Sequence, residues 1–314
     1  MENRFYTLLY LDKDEIRSLS KTGVGKASIL SYEDRIKVFL GCAALLDKSL
    51  KINNVGYLEI LTNNKDFLVS LQRKFGYSTN VTEIPFTLDV PKGIKFYSAH
   101  YKIDVFKYLG TLDNQMSFLL DNDVVCTSSL PQIILNIENS QYDDRHFPAL
   151  IYSMPRYFGE RMIHDKKLVD EKQIHGLWAG GEFIAGQSTF FQSLYNEVMD
   201  VKDSYWNCYK RLFHQGDEML TSIALENIFY KCKFPLLDAG TLGLVKRYWS
   251  ILDKNPFYKE NVWFVHLPYD KGMLSTVDID RIKSNDDFVR LYKKYYLKIR
   301  IKKVIRKIYL SLHK

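Results

Sequence analysis

The chain has 314 residues, 46% of them hydrophobic and 14% aromatic, and a formal net charge of +7. That length and apolar content exclude a disordered protein and suit one large α/β domain with a short extension. The charge is uneven: Phe288 to Lys314 carries ten Lys or Arg and no Asp or Glu, so a mildly acidic body precedes a strongly basic tail.

Strand and helix patterns alternate from the start. Phe5 to Leu11 reads as a strand. Ser31 caps a helix with Asp34 at its third position, and Ile36, Phe39, Leu40, Ala43 and Leu46 continue it at helical spacing. Tyr57 to Thr62 is the next strand, Lys65 to Phe75 a helix, Asn80 to Ile84 a third strand and about Tyr97 to Leu109 a further helix. Gln115 to Leu120 has the apolar run of a buried strand. Such alternation predicts a mostly parallel sheet covered by helices, with ligands held outside the carboxyl ends of the strands. Beyond residue 130 the pattern loosens: Ala149 to Met154 and Val262 to Val265 read as strands, Gly176 to Gly186 as a Gly-rich strand or turn, and Gln187 to Met199 and Asp217 to Lys231 as helices.

Cys42, Cys126, Cys208 and Cys232 are too widely spaced for zinc or redox motifs and read as reduced core residues, the state expected in a cytosolic protein. The start, Met1-Glu2-Asn3-Arg4, lacks the apolar region of a signal peptide. No stretch approaches the ~20 apolar residues of a membrane span, so membrane contact is expected to be peripheral.

The most informative segment is Asp121-Asn122-Asp123 at the end of the fourth strand. Side chains on an extended chain alternate with period 2, which puts both carboxylates on one side, where one hard cation can bind both or bridge them to a phosphate. The alternative is a solvated Asp-Asn-Asp turn.

Four motifs together resemble the GT-A nucleotide-diphospho-sugar transferases, and among them the bacterial family 8 glycosyltransferases that extend lipopolysaccharide, capsule or other surface glycans. They are Ser98-Ala-His-Tyr-Lys102, Asp121-Asn122-Asp123, His214-Gln-Gly-Asp-Glu-Met-Leu-Thr221 and Val262-Trp-Phe-Val-His-Leu-Pro-Tyr-Asp-Lys271. The resemblance implies a GT-A fold over residues 1–280: a single mixed, mostly parallel sheet flanked by helices, with a nucleotide-binding half (1–130) and an acceptor-side half (131–280). It implies that Asp121, Asp123 and His266 hold Mn²⁺ or Mg²⁺, and that Thr7, Tyr10, Lys102 and Lys271 join the two aspartates around the donor nucleotide. Asp217 and Glu218 then act at the sugar, in transfer that retains anomeric configuration, while Trp178, Gly181 and Glu182 flank the sugar or acceptor. The chain departs from the family pattern at Gly216-Asp217-Glu218, where Asp-Gln-Asp is usual, and at Gly272-Met273, where Pro-Trp usually follows the lysine.

The chemistry needs these residue types, because a departing diphosphate develops charge that a divalent cation and a lysine neutralise. Two carboxylates with one imidazole suit Mn²⁺. The expected donor is a nucleotide sugar, UDP-galactose or UDP-glucose first, and the expected acceptor a glycan or lipid-linked glycan. In residues 281–314, Leu297, Ile301, Val304, Ile305, Ile308 and Leu312 recur at helical spacing beside Lys298, Lys302, Lys303, Arg306 and Lys307. Such a basic amphipathic helix suits the anionic inner face of a membrane, with a cytoplasmic body, better than nucleic acid. The other readings are docking of that helix on the body, a haloacid-dehalogenase-type phosphohydrolase using the Asp-x-Asp, and an inactive membrane-bound nucleotide or glycan binder.

Overall fold

A computed structural model describes residues 3–13, 31–113, 115–139, 147–154, 159–173, 175–231 and 234–312. Cys232 lies outside them, as do the side chains of Lys307 and Leu312. In chain order the elements are β1 (Asn3–Leu8), α1 (Tyr32–Ile52), β2 (Gly56–Thr62), α2 (Lys65–Phe75), β3 (Asn80–Glu83), α3 (Lys102–Leu109), β4 (Ser117–Leu120), β5 (Val124–Cys126), α4 (Gln132–Asn139) and β6 (Ala149–Ser153). They continue with α5 (Glu160–Val169), β7 (Ala179–Gly186), α6 (Ser188–Cys208), α7 (Asp217–Tyr230), β8 (Leu236–Asp238), β9 (Val245–Arg247), β10 (Phe264–His266), α8 (Lys271–Leu274) and α9 (Asn285–Leu312).

Local chemistry sets several of these boundaries. Ser31 accepts from the Asp34 amide at the start of α1, as its spacing predicts. Asn64 does the same for Phe67 in α2, and Gly76, at φ 78°, ends that helix in the left-handed conformation that glycine adopts without penalty. Ser98 to Lys102, expected within one helix, splits into a 3-10 turn over Tyr97–Tyr101 and then α3.

The main sheet has seven strands in the order β3-β2-β1-β4-β7-β6-β8. β1 pairs in parallel with β2 and β4, β2 with β3, and β6 with β8; β7 runs antiparallel to β4 and β6. The sheet is therefore mixed and mostly parallel, flanked by helices, as expected. Period-2 alternation sorts its side chains into two cores. Tyr6, Leu61, Leu119, Ile151 and Ile184 face the layer of α3, α6 and α7, while Phe5, Ile60, Phe118, Leu150 and Phe183 face the layer of α1 and α2.

Two expectations are corrected. The sheet is not single: β5, β10 and β9 form a second, three-stranded sheet, because the Asp121-Asn122-Asp123 turn carries the chain out of the main sheet before it pairs again. The last helix is also not wholly separate from the body. Phe288, Tyr292 and Tyr296 are buried in a third core with Cys42, Leu45, Tyr248, Phe257 and Leu274, and the Tyr292 and Tyr295 hydroxyls donate to Asp270 at 2.6 and 2.9 Å. The later part of α9 leaves its apolar side chains exposed, Leu297, Ile301, Val304, Ile305 and Ile308 among them, although Arg300 still donates to the Asp253 and Lys254 carbonyls and Lys303 to the Ile251 carbonyl.

Candidate active site

β4 ends at Leu120 in the middle of the main sheet, and the Asp-Asn-Asp turn follows at its carboxyl end. The turn is closed by the Val124 amide donating to the Asp121 carbonyl. Both carboxylates nevertheless converge. One ligand atom each from Asp121, Asp123 and His266 lie within 4.8 Å of one another. His266 Nε2 is 3.3 Å from Asp123 Oδ2 and 3.7 Å from Asp121 Oδ2. Asp123 is fully buried, and its Oδ1 has no hydrogen-bond partner among the described residues. A buried, unsatisfied carboxylate oxygen is costly in a folded protein unless something binds it.

Lys271, the first residue of α8, donates to Asp123 Oδ2. Burial alone would raise the Asp123 pKa, but Lys271 and His266 hold this carboxyl well below the usual range. For His266 burial acts in the lowering direction, and Asp123 and Glu182 outweigh it to bring the imidazole up to about 9. In the metal-free protein an imidazolium thus occupies the place between the carboxylates.

Lys102 begins α3 and reaches across the site. Its ammonium donates to Asp121 Oδ1 at 2.7 Å and to the Gly181 carbonyl at 3.0 Å, and lies 3.2 Å from Asp217 Oδ2. Gly181 makes this possible: a Cβ there would stand 2.6 Å from Lys102 Nζ. Asp217 is the first residue of α7 and is buried. Burial, with the negative charges of Glu218 and Asp121, raises its pKa to about 6 against the opposing pull of Lys102. Lys102 fails to hold Asp217 ionised at low pH because it sits nearer Asp121 and is shared between the two.

Glu218 accepts from the Gly181 amide at 3.0 Å, the Trp178 indole at 2.9 Å and Arg247 at 2.9 Å. Trp178 and Glu182 were expected to flank a sugar. Both are buried: β7 is covered on both faces, so the Glu182 side chain points into protein, and Trp178, just before β7, turns its indole to Glu218. Glu182 forms a two-pronged pair with Arg247, Nε to Oε1 and Nη2 to Oε2, both at 2.6 Å, and its Oε1 lies 3.3 Å from His266 Nδ1. Arg247 is a site residue that the sequence does not reveal, since nothing in Val245-Lys-Arg247 distinguishes it from a surface cation. Glu182 did carry a signal: a lone acid in a strand otherwise built of Ala, Gly, Phe and Ile requires a buried partner.

Thr7 is buried on β1, and its hydroxyl has no partner among the described residues. Tyr10, just past β1, is half-buried and stacks on Tyr101 with ring centroids 3.8 Å apart. The two lie on the same sheet end as Asp121, because β1 pairs in parallel with β4.

Five carboxylates, Asp121, Asp123, Glu182, Asp217 and Glu218, surround three fixed cations, Lys102, Arg247 and Lys271. With the imidazole neutral the cluster lacks two positive charges, the charge of one divalent ion. Together with the orphaned Asp123 Oδ1, this donor set fits a hard or borderline divalent cation.

Neither a protein-family model nor a curated protein sequence matches the chain. Among solved structures the chain is similar to the apo form of mouse xyloside xylosyltransferase 1, with 9% identity, 85% of this chain and 97% of that chain covered, and a TM-score of 0.48. It is also similar to the galactosyltransferase LgtC. The LgtC complex with donor and acceptor sugar analogues gives 11% identity, 84% and 86% coverage and a TM-score of 0.44. An LgtC active-site variant gives the same identity and coverage with a TM-score of 0.47. These are similarities of overall shape; the chemistry of the site comes from its own residues.

Proposed function

We propose that the chain is a metal-dependent glycosyltransferase of the GT-A type, moving a hexose from a nucleotide sugar to a glycan acceptor. The observation that carries this reading is the convergence of Asp121, Asp123 and His266 beside Lys271, with Lys102 and Asp217 adjoining. Asp121, Asp123 and His266 would hold Mn²⁺ or Mg²⁺, which supplies charge to neutralise the departing diphosphate. Lys271 moves from Asp123 to that diphosphate as the bond between the anomeric carbon and the phosphate oxygen breaks. Asp217 faces the positive charge that develops on the sugar, with Lys102 fixing its carboxylate. Thr7 and Tyr10 belong to the nucleoside side in this reading.

The donor is a UDP-hexose, galactose or glucose first, and transfer retains configuration, as the motif resemblance implies. The acceptor is a bacterial surface glycan, lipid-linked during synthesis. No described helix is long and apolar enough to cross a membrane. The outer part of α9 instead pairs exposed Leu297, Ile301, Val304, Ile305 and Ile308 with exposed Lys298, Lys302 and Arg306, a composition that suits an anionic lipid surface. The body therefore works at the cytoplasmic face of the membrane, with residues from about 304 onward as the attachment.

The test is a panel of nucleotide sugars given to the purified protein with and without Mn²⁺. Metal-dependent release of nucleoside diphosphate from one of them is expected. Release of inorganic phosphate from simple phosphoesters, without any use of nucleotide sugars, would favour a phosphohydrolase instead. Binding of a nucleotide sugar without turnover on any acceptor would favour an inactive binder.

A further inference from the structure

The one buried acid of β7 sits behind the imidazole that closes the candidate metal site. β9 and β10 pair in parallel in the register that sets Arg247 beside His266, and both side chains reach the same carboxylate. We infer that Glu182 is a positioning residue for His266: its carboxylate takes the Nδ1–H of the ring, which turns Nε2 toward Asp121 and Asp123, and Arg247 clamps the carboxylate in that orientation. This rests on the metal reading of the site given above.

Three observations carry it. His266 Nδ1 lies 3.3 Å from Glu182 Oε1 while Nε2 lies toward the two aspartates, so the two ring nitrogens are divided between carboxylate and ligand site. A histidine ligand is ordinarily oriented by such a carboxylate on its far nitrogen. The pair is also expensive for the fold. Glu182 is fully buried, and replacing a buried ion pair by apolar residues is often neutral or stabilising, so stability alone gives no reason to keep it. Finally, the clamp is shared. Arg247 Nη2 bridges from Glu182 to Glu218, which in turn holds the Gly181 amide and the Trp178 indole. The orientation of the ligand ring and the placement of the strand that supports Lys102 are therefore set by one guanidinium.

The experiment measures metal binding by the full chain without substrate: Mn²⁺ affinity by electron paramagnetic resonance of the free ion, and the visible absorption of bound Co²⁺. The variants are Glu182→Gln and the double substitution Glu182→Leu with Arg247→Met, which removes the Glu182–Arg247 charges together and leaves Glu218 the Gly181 amide and the Trp178 indole. The double variant should bind Mn²⁺ tenfold to about a hundredfold more weakly than the wild type, with an altered Co²⁺ spectrum and a cooperative unfolding transition that shows it folded. Glu182→Gln keeps an acceptor oxygen for His266 and should lose only about threefold, lying between the two. Wild-type binding with an equal affinity and spectrum in the folded double variant overturns the inference alone. Should the double variant fail to fold, equality of Glu182→Gln with the wild type in both readouts overturns it. A wild type that takes up neither ion removes the metal reading and this inference together.

Discussion

His266 Nε2 stands 3.3 Å from Asp123 Oδ2 because β10 runs antiparallel to β5 in the register that sets His266 opposite Val124, the residue after Asp123. Two segments far apart in the chain thus deliver a base and an acid to one point. In the metal-free protein the base is protonated up to a pKa of about 9, and a cation must displace that proton.

Mn²⁺ binding at pH 7 is therefore expected to release about one proton per ion, read by calorimetry in buffers of different ionisation heat. Affinity should rise with pH by up to tenfold per unit, levelling near pH 9. The sign for stability is opposite. A His pKa raised above 6.5 stabilises the metal-free fold fully below pH 6.5, and that contribution disappears as pH rises through about 9. A flat affinity profile between pH 6.5 and 9 would remove His266 from the ligand set, and Asp123→Ala should abolish binding while leaving the protein folded.

Asp217→Asn should make the protein more stable and less active. Its folded pKa of about 6, against an ordinary 3.8 for an aspartate in water, means that the native state favours the protonated acid. Stability from this group is highest below pH 3.8 and falls to a constant deficit above about 6. A shift of that size is worth about 3 kcal/mol at most, since the amide only partly mimics the protonated acid. A gain of roughly 1–2 kcal/mol at pH 7, vanishing near pH 4, is expected from denaturant unfolding at both pH values. Turnover should drop by roughly 10²-fold or more. A variant equally stabilised at both pH values would show that the penalty lies elsewhere.

Truncation separates the two parts of α9. Removing residues 304–314 should leave unfolding and turnover on soluble acceptors unchanged, yet reduce sedimentation with anionic liposomes, an attraction that weakens as salt shortens the Debye length from ~10 Å at 0.1 M. Removing residues 288–314 should unfold the protein, since Phe288 and Tyr292 are buried and truncating one large aromatic core residue costs about 3–5 kcal/mol. Tyr292 also holds Asp270, the residue before Lys271. If the longer truncation folds normally, the third core is dispensable.

Gly181→Ala tests the approach of Lys102. The added methyl carbon would meet its ammonium at 2.6 Å, so Lys102 Nζ must shift from its place between the Gly181 carbonyl, Asp121 and Asp217. Turnover should fall by at least about tenfold, because displaced charges at a reacting centre forfeit their stabilisation. Unfolding should shift by only about 1 kcal/mol, since the ammonium is the flexible end of its side chain. Unchanged turnover would place Lys102 outside the chemistry.

The alternation of strands and helices, the Ser31 cap on α1, the run ending at Leu120 and the acid pair after it were all legible in the sequence. Each depends on residues near one another in the chain, through backbone periodicity, side-chain capping or an apolar run. The motif resemblance extended this to His266, Lys102, Asp217 and Lys271, and the structure brings those four to Asp121 and Asp123. The second sheet was not legible, nor was Arg247, because strand register is fixed by packing between segments and leaves no trace in Val245-Lys-Arg247. Glu182 was expected beside the sugar or acceptor from the motif resemblance; that its carboxylate meets His266 and Arg247 follows only from the depth of β7 in the sheet. The same division holds for α9. Its charge and helical period lie in the sequence, whereas the point at which it stops being core was decided by Asp270 and the aromatic cluster it enters, contacts that exist only once the chain has folded back on itself.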